Sequence, residues 1–228
     1  ILIFILYRSR PRPAPERVHS FAQFTSVLKG IMKSDHNFRN YILSRIILTA
    51  NYAAIPLYAI HAHDKLDFHI SEAGIFTALM VVASGFSSFL AGKIGDRFGH
   101  KHAMVISFLA YLGALIAALL AETLWHVYLI FIFMGIGKGG FITSAMSLVY
   151  GFAGDNDKKI YFALIDSLTA PFVLVAILLS GFFISTGSIP PVLTVIGFIL
   201  IAGILALVFL TKEPRTLREM PIPREPQP

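Results

Sequence analysis

The stretch GKIGDRFGHKH, Gly92 to His102, puts Lys93, Arg97, Lys101, Asp96 and two histidines into eleven positions. Almost wholly apolar runs of roughly twenty residues, the length that spans a bilayer core as a helix, lie on either side of it. So abrupt an alternation of charge and hydrocarbon fits a chain that crosses a membrane and turns back at its surface. The composition agrees: of 228 residues, 56% are hydrophobic and 14% charged, and the mean hydropathy is +0.72. A soluble domain of this length carries far more charge. In hydrocarbon the backbone must satisfy itself, which leaves helices or a closed barrel. The period-2 alternation of barrel strands is missing.

Six runs are long enough to span: Tyr41 to Ile60, Ala73 to Ala91, Ala103 to Ala121, His126 to Tyr150, Ile160 to Ser185 and Pro190 to Leu210. The expected fold is an all-α membrane protein, a bundle of six transmembrane helices over 41–212. Lys and Arg sort by side. Arg8, Arg10, Arg12, Arg17, Lys29, Lys33 and Arg39 precede the first span, and Lys93, Arg97, Lys101, Lys158, Lys159, Lys212, Arg215, Arg218 and Arg224 follow even-numbered crossings. The opposite loops hold only Lys65. Basic loops stay cytoplasmic, so both ends are expected there, in a cell inner membrane. This sorting also argues against nucleic acid as the reason for the net charge of +6.

ILIFILY (1–7) is too short to span and is expected to be the end of a preceding transmembrane helix, which makes the chain a fragment. Residues 8–40 form a basic, Pro-rich linker. Within it Phe21, Phe24, Val27, Leu28 and Ile31 recur at helical spacing beside Lys29 and Lys33, as in an amphipathic helix on the membrane surface. Residues 213–228 are expected to form a cytoplasmic tail.

Read in this frame, GKIGDRFGHKH is a tight cytoplasmic turn in which Gly92, Gly95 and Gly99 adopt conformations closed to other residues. Asp96 would accept from turn amides or sit at a helix N-terminus. The pattern Gly92-x-Ile94-Gly95-Asp96-Arg97-x-Gly99-x-Lys101 resembles the signature loop of the major facilitator superfamily, found between the second and third helices of each six-helix half; His100 departs from the usual basic residue. The resemblance implies a C-terminal half bundle of 3+3 helices whose N-terminal six-helix half is missing from the chain. It also implies that Asp96 latches against that other half, and that the first helix of each triplet lines the solute path while the third faces lipid.

Ionisable residues inside spans need a partner, water or a function. Arg45, about one turn inside the first run, is expected to snorkel to the surface, yet joins the candidate solute contacts. Lys138 stands about twelve residues, roughly 18 Å, from either end of its run, among the glycines of GIGKGG. Asp166 lies about six residues, roughly 9 Å, into the fifth run. Lys138 and Asp166 either face a wet cavity, binding solute or carrying a coupling proton, or form a buried structural ion pair. Asn51 and Tyr52 add polar groups to the first span, where Pro56 is the expected kink; DSLTAP, ending at Pro171, is an expected bend.

His61, His63 and His69, near Asp64 and Asp67, lack metal-site spacing and are read as a solvated loop, so no metal or cofactor is expected. No phosphate-binding loop, nucleophile elbow or zinc-protease signature occurs. The function expected is therefore not enzymatic: secondary transport of a small organic solute by alternating access. The rivals are a six-helix membrane enzyme or assembly protein, and a half-size carrier acting as a homodimer.

Overall fold

The computed structural model describes residues 21–66, 72–154, 157–185, 187 and 189–214. ILIFILY, the Pro-rich stretch, His69, Asp67 and the tail beyond 214 lie outside them. The described residues contain eight helices and no strand: α1 (Phe21–Ser34), α2 (His36–Leu48), α3 (Asn51–Leu66), α4 (Glu72–Phe98), α5 (His100–Leu119), α6 (Leu124–Ala153), α7 (Lys158–Ser185) and α8 (Ile189–Leu210). α1 belongs to one compact unit; α2 to α8 form another. Together α2 and α3 make the first of six stretches long and apolar enough to cross a membrane, and α4 to α8 make the other five.

The first span starts before its apolar run because Asp35 caps it, the carboxylate accepting from the Phe38 N–H at 2.9 Å. It is also broken. Between α2 and α3 the Ala50, Tyr52 and Ala53 amides donate to carbonyls three residues back, and the Thr49 hydroxyl donates to the Ile46 carbonyl at 2.6 Å. The interruption therefore falls at Thr49–Ala50, not at the expected Pro56, which α3 absorbs. DSLTAP is likewise absorbed in continuous α7, with the Thr169 hydroxyl bonded back to the Ile165 carbonyl at 2.8 Å.

Small residues decide how the spans pack. α6 lies closest to α4 and α5, while α2 and α3 pack with α7 and α8, so the sequential triplets interlock. Gly135 and Gly139, one turn apart on α6, face the α4 backbone at Met80 and Ser84; Gly137 and Gly140 meet Tyr111 and Ser107 of α5. The Ser87 hydroxyl donates to the Ile136 carbonyl at 2.7 Å and Ser88 to that of Gly139 at 3.1 Å. α5 is the most buried span and α4 the least. The third helices, expected to face lipid, are thus more buried than the second helices α4 and α7.

One end of the bundle is drawn together around the C-terminus of α8, whose last carbonyls have no partner within the helix. Asn40 donates to the Leu210 carbonyl at 2.9 Å and Asn37 to that of Lys212 at 2.8 Å. The Lys101 ammonium donates to the carbonyls of Val208 at 2.9 Å and Thr211 at 2.8 Å. Phe38 packs edge-on to Phe152 and Tyr161, bringing the end of α6 and the start of α7 to the same place.

Candidate functional site

At that end GKIGDRFG is helical almost throughout: α4 continues to Phe98, and only Gly99 turns, with φ of +100°. Of the three glycines expected to take turn conformations, Gly92 has open space where a Cβ would sit, and Gly95 is needed for the His100 ring packed against it. Asp96 is exposed, its Oδ1 3.8 Å from His100 Nε2. The carboxylate at a helix N-terminus is Glu213 instead, accepting from the Lys101 N–H at 2.8 Å. Lys101 and Glu213 make a reciprocal clasp: the lysine caps the end of α8, and the residue just beyond α8 caps the start of α5. Arg97 lies over the Phe98 ring, 5.2 Å from its centroid.

Deeper in the bundle, a cleft of about 450 Å³ opens where the first span is broken. Small-molecule sites have volumes of this order. Arg45 and Leu48 of α2, Thr49 at the break, and Asn51 and Tyr52 of α3 form one wall. Phe108 and Tyr111 of α5 and Phe141 of α6 form the aromatic side, and Asp166, Thr169 and Ala170 of α7 close it. Irregular backbone at membrane depth is tolerated where it is buried in protein or lines a cavity, and the break at Thr49 does the latter.

Counted from the capped start of α2, Arg45 lies nine residues in, roughly 14 Å at helical rise. It is held in the cleft, with Nη1 donating to the Tyr41 hydroxyl at 3.2 Å and the guanidinium 4.7 Å from the Phe141 ring centroid. Asn51 is buried at 4% exposure, and its Oδ1 meets no donor. Asp166 is exposed and lines the same cleft from α7. No ion pair joins Arg45 or Lys138 to Asp166, so the alternative of a buried Lys138–Asp166 pair is not what this structure contains.

Lys138 is exposed and does not line the cleft. It stands fourteen residues from one end of α6 and fifteen from the other, three residues from cleft-lining Phe141 and hence on the same side of the helix. The glycines face α4 and α5, so the lysine is left on the open side. Of the expected solute contacts, the structure brings together Arg45, Asn51, Tyr52 and Asp166 and leaves Lys138 beside them. Phe108, Tyr111 and Phe141 were missed, since aromatics inside apolar spans carry no sequence signal separating a cavity wall from a lipid face. His61 and His63 lie in the last turns of α3, His61 buried, rather than in a loop.

Comparison with known proteins agrees with this architecture. An uncharacterised MFS-type transporter, YhjO, of Bacillus subtilis (strain 168) is 21% identical over 113 residues. That alignment covers 50% of this chain and 28% of the relative, so the chain matches well under two thirds of that protein. The similarity points to a transporter rather than an enzyme, in an integral, multi-pass membrane protein. A family model of the Major Facilitator Superfamily matches residues 40–228, from within α2 onward. The chain belongs to the major facilitator superfamily.

Proposed function

We propose that this chain is one six-helix half of a secondary carrier that moves a small organic solute by alternating access, and that the cleft at Arg45, Asn51 and Asp166 is its share of the solute path. The observation that carries this reading is a cation and a carboxylate facing one aromatic cleft, unpaired, where the first span is interrupted. Charges at such depth persist when water or a ligand reaches them. In carriers built from repeated bundles, the solute site lies near the midplane beside discontinuous helices, and the halves rock about it. The exposed sides of α4 and α7 offer surface for a second six-helix half, and the brief coverage of the relative is consistent with more protein around this part. The end carrying Lys101 and Lys212 is proposed to face the cytoplasm from the inner membrane.

Access from alternate sides is the property to test. Ala170 lines the cleft and is exposed, and this chain has no cysteine of its own. In the full-length protein, with any other cysteine removed, Ala170→Cys is expected to react with a membrane-impermeant thiol reagent from either side, to an extent that shifts when transported solute is supplied. Reaction from one side only, whatever solute is present, overturns alternating access.

A further inference from the structure

Several features of the molecule carry unpartnered groups, but among the described residues the cleft alone gathers opposite charges, a buried orphan acceptor and a ring wall in one space. We propose that it selects zwitterions: solutes of amino-acid size with an anionic group for Arg45, an ammonium group for Asp166 and Asn51, and a hydrocarbon or aromatic body for the rings. This rests on reading the cleft as the solute path and goes beyond it by naming the solute class.

The chemistry follows from what each group lacks. A guanidinium has five N–H donors in a planar fork; Tyr41 takes one and Phe141 covers a face, leaving the remainder for a carboxylate or similar anion. Asp166 lines the same cleft from α7 with a carboxylate that can accept, and the buried Asn51 Oδ1, on α3, is an acceptor without a donor. Phe108 and Phe141, edge to face at 5.4 Å, line the same space, with Tyr111 tilted against Phe108 at 5.9 Å. Such walls are poorly polar, so each charge acts strongly on a solute that displaces water. An organic anion would satisfy Arg45 but strip water from Asp166 and face its like charge. An organic cation would do the reverse at Arg45. A solute bearing both charges satisfies both groups, and the discrimination arises from repulsion as much as attraction.

Three probes of matched body separate these cases: L-phenylalanine, 3-phenylpropionate and 2-phenylethylamine, offered to the full-length protein. Thermal stabilisation of the purified carrier and competition for uptake in proteoliposomes would both be measured. L-Phenylalanine is expected to act at a concentration at least tenfold below either single-charge analogue. Asp166→Asn is expected to lose the preference over 3-phenylpropionate and keep the preference over 2-phenylethylamine; Arg45→Gln is expected to show the converse. The proposal is overturned if the unaltered protein responds to a single-charge analogue as readily as to L-phenylalanine, or to none of the three. It is overturned too if Asp166→Asn keeps its full selectivity and loses only the response to a pH gradient, which would make Asp166 a proton carrier. The unaltered protein suffices for the first outcomes, whether or not a variant folds. Alternating access at Ala170→Cys with no response to L-phenylalanine would remove the solute class and spare the carrier. One-sided access with zwitterion preference intact would remove the carrier and spare the class.

Discussion

Gly139 and Gly85 show how position, not residue type, sets the cost of a methyl group. A Cβ on Gly139 would run into the Ser84 backbone carbonyl of α4, whereas one on Gly85 would meet nothing within 4 Å. Since backbone cannot move aside as a side chain does, Gly139→Ala is expected to push α4 off α6 and cost about 1–3 kcal/mol. Gly85→Ala is expected to cause no loss. Thermal unfolding of both variants in detergent gives the comparison, and equal midpoints would mean that the α4–α6 contact does not hold the bundle. GIGKGG puts glycines on several faces of its span, and the structure sets them against both α4 and α5. The depth of Arg45 was less legible: it was counted from the first apolar residue, but the helix begins just after the Asp35 cap, and five residues, four of them polar, lengthen the span.

At the scale of elements, hydropathy fixed which segments cross and left open where they end and how they join. Six spans emerged because twenty apolar residues are hard to accommodate otherwise. The break at Thr49–Ala50 left no such mark: Thr, Ala and Asn are tolerated in helices, and Pro56 drew attention nearly two turns too late. The clasp between α5 and α8 was invisible too, since Lys101 and Glu213 are 112 positions apart and their roles depend on the two helix ends meeting. Their contribution can be measured. Lys101→Met removes the donor of two hydrogen bonds to α8 carbonyls and is expected to cost about 2 kcal/mol, as for hydrogen bonds from a charged group. Amide exchange should rise selectively over residues 208–213 and at the start of α5. Glu213→Gln, which retains an acceptor oxygen for the Lys101 N–H, should lose less. If the two variants were equally unstable, or exchange rose throughout the bundle, the clasp would not be a local cap.

Across the whole molecule, the sorting of charge becomes a statement about geometry. Besides Arg45 and Lys138 within the spans, every Lys and Arg other than Lys65 was assigned to one side from sequence. Among the described residues from Asp35 onward, the segments that carry them meet: Asn37 bonds to the Lys212 backbone, Lys101 reaches Thr211, and Phe38 touches Tyr161 beside Lys158 and Lys159. The α5–α6 junction, with Glu122, Thr123 and exposed Trp125, lies at the other end of the helices. Convergence at one end follows from an even number of crossings; which membrane face that end meets follows from the energetics of moving basic loops across. Single cysteines separate the two. With the basic end inside, Thr123→Cys in the full-length protein should be labelled by an impermeant maleimide on intact cells, and Lys158→Cys only after the cells are opened. The reverse pattern would invert the orientation and leave the fold standing. Labelling of both positions on intact cells would instead place the two junctions on one side of α6, a 30-residue helix that could not then cross the membrane, and the bundle itself would have to be abandoned.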